Sequence, residues 1–430
     1  MTKVAIVGAG SLVFTRTVVG DLLAQEPTTD GEFSLVDIDA SRLERSRLAV
    51  ERIAAAAGAR VKVTATTDCP TGVRGSQYVI NTVQVGGKEA TLTDFVVPEK
   101  YGVRQTIGDT HGIGGISRAL RTLPAVLGIA RTVADEAPDA WFLNYTNPMA
   151  MVVMALSRAS AVRHVGLCHG TEHTVTTVAG YLGIARSRLA WQAAGINHMT
   201  WLLQLRAEGR DLYPELRAYA QRADLATHED AVRLELLRRF GYFVSESSVH
   251  NAEYYPWFLR PGAPLPHGVR VREYLYRLED LERQFVEEQS AVDDERPRTG
   301  ATWAQSEEYA PRVIAALEAN KTYRFMGNVA NTGSVANLPS ACCVEVPCFT
   351  DGSDLVAGVV GHLPEQCAAL NRAAVNVQLL TVAGVLERSR EAIYQAALLD
   401  PLLSAQLTTD QTVSLVDELI DAHGNPSGLR

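Results

Sequence analysis

The chain opens with Lys3-Val-Ala-Ile-Val-Gly-Ala-Gly10, a short apolar run that leads directly into two closely spaced glycines. Residues 4–7 are largely β-branched and predict a buried strand, and the apolar residues after the glycines recur at helical spacing. A strand, a glycine turn and a helix in this order are typical of the first unit of a parallel sheet with helices on both faces. Val13 stands where the pattern GxGxxG has its third glycine, so the motif is incomplete.

The same alternation continues along the chain. Strands are expected at 33–37, 61–65, 78–83 and 165–168, and an Ala- and Leu-rich helix at 42–57. Strand–helix alternation over about 170 residues predicts an α/β fold with a Rossmann-like, doubly wound parallel sheet, similar to the first domain of lactate and malate dehydrogenases. We therefore assign residues 1–195 to a dinucleotide-binding domain.

The pattern changes after Gly195. A strand at 200–206 and a turn at 208–210 are followed by charged helical stretches over 214–240 and 269–296, with a Pro- and Gly-rich loop at 261–268 between them. Further β structure is expected around 323–346, and two or three helices between Pro364 and about Ala422. We assign residues 196–430 to an α+β domain for substrate, metal and oligomerisation.

Composition narrows the class of protein. The 430 residues are 47% hydrophobic and 21% charged with a net charge of −9, which argues against a nucleic-acid or anionic-membrane partner. The N-terminus has no signal-peptide pattern and no apolar run approaches the length of a membrane helix, so we expect a cytoplasmic protein. The six cysteines form no CxxC pair. Three of them, Cys342, Cys343 and Cys348, lie in an apolar, strand-like stretch and are expected to be buried.

The glycines and Asp37 predict a dinucleotide site. The first glycine permits a tight turn, and the second lets the backbone approach a pyrophosphate at the helix N-terminus. Asp37 ends the second strand, where a carboxylate accepts hydrogen bonds from ribose hydroxyls and repels a 2′-phosphate, so NAD is expected rather than NADP. Asp39 is a rival for this role, and a loop cap is the alternative for Asp37. The residues predicted to bind NAD are Gly8, Ala9, Gly10, Ser11, Asp37, Asn81 and Asn147, the last two lying near the ribose and nicotinamide.

Cys168 and His198 are candidate metal ligands. Cys168 ends a strand at the carboxyl edge of the sheet, where open α/β sheets bind ligands, and His198 follows a Gly-Ile-Asn turn. Two protein ligands would leave positions open for substrate and water. Thiol and imidazole favour zinc, whereas sugar hydroxyls in the shell would favour Mn²⁺. The alternatives are a core cysteine with a hydrogen-bonded histidine, or ligation by His169 or His173.

Two further segments carry acid and base groups. The glycine-rich loop from Asp109 to Gly115 contains a carboxylate and, at His111, an imidazole. The segment 242–257 brings His250 and Tyr254 together with carboxylates and aromatic rings. Such a mixture suits a sugar site, although an ordinary polar loop is equally consistent with it.

Taken together, these stretches resemble glycoside hydrolase family 4, the NAD-dependent glycosidases, and in particular its α-galactosidase branch. The resemblance runs in order over nearly the whole chain. It is carried by Gly8-Ala-Gly-Ser11, Leu35-Val-Asp-Ile-Asp39, Gly114-Gly-Ile-Ser-Arg-Ala-Leu-Arg-Thr122, Asn144-Tyr-Thr-Asn-Pro-Met-Ala150, Gly166-Leu-Cys-His169, Ala194-Gly-Ile-Asn-His-Met199, Asp211-Leu-Tyr-Pro-Glu-Leu216, Gly241-Tyr-Phe-Val-Ser-Glu-Ser-Ser248, Glu253-Tyr254, Pro256-Trp-Phe258, Asn337-Leu-Pro and Cys343-Val-Glu-Val346.

The resemblance implies a redox-elimination mechanism, outside the usual two-carboxylate scheme. NAD⁺ takes hydride from C3 of the sugar, the C2 proton is removed, the glycosidic oxygen leaves, water adds and NADH returns the hydride. Mn²⁺ or another divalent metal on Cys168 and His198 would hold the C2 and C3 oxygens. Asp109 is the implied acid, and His250, followed by Tyr254, the preferred base. Residues predicted to contact the substrate are Asn147, His169 and Asn197.

Some positions depart from the family pattern. Val249 and Asn251 stand where α-galactosidase relatives usually carry Glu and Phe, and Gln305-Ser-Glu-Glu-Tyr309 replaces Ser-Arg-Glu-Tyr. These departures leave the sugar open between α-galactoside, α-glucoside and α-galacturonide. A lactate- or malate-type dehydrogenase is the alternative from another class. The resemblance also implies a homodimer or homotetramer.

Overall fold

A computed structural model describes residues 2–25, 30–293 and 306–430. The N-terminal half is a parallel sheet in the order β3-β2-β1-β4-β5-β6. This order reverses direction between β1 and β4, which opens a crevice at the carboxyl ends of these strands. The strands are β1 (Thr2–Val7), β2 (Gly31–Val36), β3 (Lys62–Thr66), β4 (Tyr78–Asn81), β5 (Trp141–Asn144) and β6 (Arg163–Leu167). The predicted Rossmann-like sheet is therefore confirmed.

Helices connect the parallel strands, as the apolar spacing predicts. Their faces toward the sheet carry the aliphatic side chains that form one continuous core with the strands. The helices are α1 (Leu12–Leu23), α2 (Ala40–Ala56), α3 (Cys69–Val73), α4 (Gly87–Lys100), α5 (Gly112–Glu136), α6 (Met149–Ala159) and α7 (Gly170–Leu182), followed by a 3-10 turn at Arg186–Arg188.

The sheet continues past β6 as an antiparallel extension, and 13 strands belong to it within the described residues. β11 (Tyr323–Ala330) pairs with β6, and the order then runs β12 (Cys343–Thr350), β7 (Ala190–Ile196), β8 (Met199–Ala207) and β10 (Phe243–Val244). The short strands β9 (Arg210–Asp211) and β13 (Leu355–Ala357) flank β8 and β12. The sheet is continuous across residue 195, and the division into two domains there stays a prediction.

The remaining helices cover this extension. Those before the C-terminal region are α8 (Tyr213–Arg222), α9 (Ala231–Phe240), α10 (Ser248–Tyr254), α11 (Glu273–Asp293) and α12 (Tyr309–Ala319). The predicted helices at 214–240 and 269–296 correspond to α8, α9 and α11. Gln305, at which the departing 305–309 stretch begins, lies outside the described residues. Cys342, Cys343 and Cys348 are buried as predicted, the last two within β12.

The C-terminal region contains four helices, and the prediction of two or three is wrong. They are α13 (Glu365–Glu387), α14 (Arg390–Leu398), α15 (Pro401–Ser404) and α16 (Thr409–Ala422). Ser389, Asp400 and Thr408 each accept a hydrogen bond from a backbone N–H of the following helix. Each N-cap begins a new helix at a point where the helical spacing of apolar residues continues almost without a break, so that spacing alone does not separate the helices.

Helix α13 is long and apolar enough, by length and composition, to cross a membrane, which the sequence analysis did not anticipate. In the structure it packs against α5 and α6. Its Asn371 accepts a hydrogen bond from the indole of Trp201 and donates one to the Met199 carbonyl, and Gln378 contacts His111. These buried polar contacts fit a core helix that supports the carboxyl edge of the sheet.

Candidate active site

The turn after β1 forms the base of the first crevice. Gly8 has a φ of +94°, and its N–H and that of Ala9 both donate to the Val36 carbonyl, at 2.8 and 3.0 Å. A Cβ at Gly8 would lie 2.7 Å from Thr82 Oγ1 and 2.8 Å from the Thr82 carbonyl carbon. Glycine is therefore required here, both for the backbone conformation and for space.

Asp37 faces this turn, whereas Asp39 does not. Asp37 Oδ2 accepts a hydrogen bond of 2.7 Å from the Gly10 N–H, and a Cβ at Gly10 would lie 2.7 Å from that oxygen. Asp39 instead caps α2 by accepting hydrogen bonds from Ser41 and Arg42. With Ser11 exposed just before α1, the crevice offers a carboxylate, a close backbone approach and a helix N-terminus. These are the features that fit a dinucleotide.

The two predicted amides take different positions. Asn81 is fully buried and donates to Asn144 Oδ1 at 2.8 Å and to Thr146 Oγ1 at 3.1 Å, so it joins the ends of β4 and β5. Asn147, which precedes Pro148 in a cis peptide, donates to Asp109 Oδ2 at 3.0 Å. Asn147 thus lies at the acid–base centre, whereas Asn81 is in the interior and bonds to Thr146, the residue before Asn147.

Cys168 and His198 lie together although they belong to different strands. Cys168 follows β6 and His198 forms the turn between β7 and β8, and the distance from Cys168 Sγ to His198 Nε2 is 3.5 Å. A metal about 2.3 Å from a thiolate and about 2.1 Å from an imidazole places these two atoms about 3.6 Å apart at a tetrahedral angle. The observed separation therefore fits a shared divalent metal.

A hydrogen-bond chain orients the imidazole for this role. Thr110 Oγ1 lies 2.6 Å from Asp109 Oδ1 and 3.1 Å from His198 Nδ1. Since an ionised carboxylate only accepts, the single hydroxyl proton of Thr110 goes to Asp109, and Thr110 then accepts from the Nδ1–H of His198. Nε2 is left as a lone-pair donor that faces Cys168. Such support of the second ring nitrogen is usual at metal-binding histidines.

His250 and Tyr254 complete the centre from α10. Ser247 Oγ holds His250 Nδ1 at 2.8 Å, and the ring centroids of His250 and His198 are 5.1 Å apart. The Tyr254 hydroxyl lies 3.3 Å from His198 Nδ1. Asp109, His198 and His250 offer ligand atoms that all lie within 4.8 Å of one another, so His250 and Asp109 are further potential ligands.

The electrostatic environment favours a cation. Burial, with Glu345 and Glu246 nearby, raises the pKa of the Cys168 thiol well above its usual value, so a metal is needed to make it a thiolate. Burial alone would raise the pKa of Asp109, but the Arg118 guanidinium and the hydrogen bond from Thr110 lower it. Burial lowers the pKa of His250 to about 4, which leaves that ring neutral at neutral pH.

Residues just outside the centre fix its loops. Both Glu253 carboxylate oxygens accept backbone hydrogen bonds, from Gly108 at 2.8 Å and from Thr106 and Ile107 at 2.7 and 3.1 Å. Burial raises the pKa of Glu253 to about 7 despite these bonds. Glu253 therefore shapes the chain that leads into Asp109.

Three site residues were not assigned a role by sequence analysis. Thr110 orients His198, Glu246 lies beside Cys168 across Gly170, and Glu345 accepts hydrogen bonds from Thr171 and Asn197. A signal for Glu345 did exist, because a carboxylate inside the apolar strand-like 342–348 stretch needs buried donors. Glu246 and Thr110 lie in the two acid–base segments that sequence analysis singled out, but their spacing assigns no role to either residue.

The remaining predicted residues are divided between surface and interior. His169 is half-exposed, and its Nδ1 lies 3.1 Å from Glu308 Oε1. His173 is one turn into α7, where its carbonyl accepts from Thr177. Asn197 is fully buried next to His198, and its Oδ1 has no hydrogen-bond partner among the residues that the structure describes. Which of them contact substrate stays a prediction.

Comparisons with known proteins agree with this geometry. The model of the Family 4 glycosyl hydrolase matches residues 3–184, and that of the Family 4 glycosyl hydrolase C-terminal domain matches residues 193–403. The chain is 42% identical to an alpha-galactosidase of Bacillus subtilis (strain 168), with 99% of each chain covered. It is 35% identical to an alpha-galactosidase of Rhizobium meliloti (strain 1021), with 98% of this chain and 88% of the relative covered.

A solved structure shows the same fold over its full length. It is a 6-phospho-alpha-glucosidase from gut microorganisms in complex with NAD and Mn²⁺, with a TM-score of 0.84, 22% identity and 100% of both chains covered.

We expect Asp37→Ala to weaken NAD⁺ binding about tenfold or more, because hydrogen bonds between a carboxylate and the ribose hydroxyls are lost. The preference for NAD⁺ over NADP⁺ should narrow as well, and calorimetric titration with both dinucleotides measures each effect. Asp39→Ala is the matched control, which should cost about 1 kcal/mol of stability through the lost helix cap and leave the dinucleotide affinity unchanged. Equal dinucleotide affinities in the Asp37 variant and the parent protein would contradict the assignment.

The His169–Glu308 pair predicts a pH-dependent contribution to stability. The hydrogen bond to Glu308 raises the pKa of His169 to about 9, against about 6.5 in an unfolded chain. Protonated His169 therefore stabilises the fold fully below about pH 6.5, and this contribution is lost as the pH rises through about 9. Because the His169 side chain is half-exposed and screened by solvent, the pair should contribute less than about 1 kcal/mol.

Urea unfolding of His169→Gln and of the parent should accordingly differ at about pH 6 and converge at about pH 10. Glu308→Gln should behave in the same way, and the double variant should add nothing further. A difference that is the same at both pH values would show that the ion pair is not its origin.

Proposed function

This chain belongs to family 4 of the glycosyl hydrolases, and we propose that it is an α-galactosidase that requires NAD and Mn²⁺ and acts on small oligosaccharides. The observation that carries the proposal is the position of two sites at one sheet edge. The Gly8–Asp37 crevice follows β1 and β2, and the Cys168–His198 pair follows β6 and β7. A cofactor and a metal held there would reach the same sugar.

The residues that fit each group are those already described. Gly8, Gly10 and Asp37 would hold the dinucleotide, and Cys168 and His198 would hold the metal. When bound, NAD supplies reversible hydride acceptance at C3 of the sugar, and Mn²⁺ polarises the oxygens at C2 and C3. The protein itself must bind the sugar and move protons.

Asp109 is placed to exchange a proton with the sugar. Its lowered pKa keeps it ionised at neutral pH, held by hydrogen bonds from Thr110 and Asn147. An ionised carboxylate accepts a proton directly, and it donates one only after it has taken one up. Asp109 would therefore act as acid towards the leaving oxygen only after it has taken up a proton. The C3 hydroxyl, which loses its proton when C3 is oxidised, would supply it.

His250 is the better-placed base of the two candidates on α10. Burial keeps its imidazole neutral, and Ser247 holds the ring by Nδ1. Burial, together with Glu253 and Asp109, raises the pKa of Tyr254 well above its usual value, so its hydroxyl keeps its proton. We assign proton removal at C2 to His250. The Tyr254 hydroxyl oxygen instead accepts from the Nδ1–H of His198, which it shares with Thr110.

The charges around the site favour a neutral sugar. His169, the exposed cation at the site, is already paired with Glu308, and Glu307 and Glu246 add negative charge close to it. A phosphate or a uronate carboxylate placed beside His169 would meet these carboxylates, whereas Arg118 is the cation beside Asp109. A cytoplasmic location and a homodimer or homotetramer stay predictions.

The first test is hydrolysis of nitrophenyl α-galactoside with NAD⁺, Mn²⁺ and a thiol reductant. Nitrophenol should be released without net formation of NADH, and omission of NAD⁺ or addition of EDTA should lower the rate at least a hundredfold. Cys168→Ser should lose activity to a similar extent, whereas Cys69→Ser, in α3, is the matched control. Steady accumulation of NADH without nitrophenol would contradict the proposal and point to a dehydrogenase.

The second test locates the proton transfer. In D₂O the galactose formed should carry deuterium at C2, because the base exchanges its proton with solvent. His250→Ala should lower kcat by about 10² to 10⁴. Tyr254→Phe should lower it less, because it removes only a hydrogen bond to His198. A larger loss in the tyrosine variant would reverse the two roles.

A further inference from the structure

His198 has an unusual backbone conformation. Its φ is +63°, in the left-handed region that residues with a Cβ avoid. The residue is also nearly fully buried, with 6% of its surface exposed. Such a conformation persists only where the surroundings determine it strongly. The residue before it, Asn197, shows how this is done.

The first contact is made by the main chain of Asn197. Its carbonyl lies 3.0 Å from His111 Nε2, and His111 Nδ1 lies 3.3 Å from the Gln378 side-chain nitrogen. A carbonyl only accepts and an amide N–H donates, so His111 is neutral with its proton on Nε2. Burial, which lowers the pKa of His111 to about 3, agrees with that state.

The second contact is made by the side chain of Asn197. Its Nδ2 donates to Glu345 Oε2 at 3.0 Å, and Glu345 lies 1% exposed on β12. Glu345 also accepts from Thr171 at 2.6 Å and from Asn328 at 3.3 Å. The carboxylate is thus fixed by three donors and cannot follow Asn197 if that residue moves.

We propose that His111, Gln378 and Glu345 form an Asn197 clamp that holds His198 in its left-handed conformation and so positions Nε2 for the metal. This inference rests on the proposed metal-dependent function and adds three positioning residues to it. His111 follows Thr110 directly, so one loop fixes both the backbone before His198 and the Nδ1 side of its ring. Gln378 extends the clamp to the core helix α13.

The test compares His111→Ala, which removes the donor to the Asn197 carbonyl, with His111→Gln, whose amide N–H restores one. Loss of an outer partner of a metal ligand typically costs 10- to 100-fold in metal affinity. We therefore expect the alanine variant to bind Mn²⁺ at least tenfold more weakly, measured by the electron paramagnetic resonance signal of free Mn²⁺. The glutamine variant should recover most of the affinity. In Co²⁺-loaded protein, the thiolate-to-cobalt absorption should weaken in the alanine variant only.

Two further variants distinguish a specific effect on the metal site from a general loss of folding. Glu345→Met removes both acceptor oxygens from the Asn197 side while keeping a similar side-chain length, and it should also weaken Mn²⁺ binding at least tenfold. Asn331→Ala removes an equally buried network, in which Asn331 bonds to Val335, Leu338 and Pro339, and should leave the Mn²⁺ affinity unchanged. Mn²⁺ affinities equal to that of the parent in both clamp variants would overturn the proposal.

Amide hydrogen exchange tests the clamp in metal-free protein. The Met199 amide, next to His198, should exchange at least tenfold faster in His111→Ala than in the parent or in Asn331→Ala. Unchanged exchange would overturn the clamp. A parent protein that binds neither Mn²⁺ nor Co²⁺, but shows faster exchange in His111→Ala, would overturn the metal-dependent function while supporting the clamp.

Discussion

The hydrogen bond from Thr110 to Asp109 is the interaction on which the centre depends. Because it uses the only proton of the hydroxyl, it settles the direction of the bond to His198 and leaves Nε2 free to face Cys168. Asn147 donates to the other oxygen of Asp109, so a hydrogen bond holds each oxygen of this carboxylate. Asp109 is therefore both the proposed acid and, through Thr110, the group that orients the metal ligand His198.

The same arrangement explains why the site needs a cation. Glu246 and Glu345 lie near a thiol whose pKa burial raises, and burial also keeps the imidazole of His250 neutral. Protein interiors tolerate such a concentration of acceptors when a positive ion offsets it. A divalent metal would also ionise Cys168, and the ligand set and its charge balance would thus be completed together.

Much of this arrangement could be predicted from the sequence. The strand–glycine–helix pattern predicted the parallel sheet, and the order of family motifs brought Cys168 and His198 together across 30 positions. Asp37 and Asp39 could not be separated by spacing, since only the structure shows which carboxylate faces Gly10 and which caps α2.

The residues that sequence analysis missed have a common physical reason. Glu345, Gln378 and Thr110 act through partners more than 80 positions away, and local periodicity contains no information on such contacts. The helix count after residue 364 failed for the opposite reason. The number of helices is set by N-cap residues such as Ser389, and these are not detected when only the spacing of apolar residues is considered.

The order of the sheet has a consequence for how the protein is made. Cys168 and His198 directly follow β6 and β7, which are consecutive strands in the chain. In the sheet, however, β11 and β12 lie between these two strands. The ribosome therefore releases both metal ligands well before the strands that hold them in register exist. All six strands of the parallel sheet have been synthesised by residue 167. The strands β11 and β12, which join β6 to β7, are complete only at residue 350. A nascent chain would thus be able to retain the dinucleotide earlier than it could retain the metal.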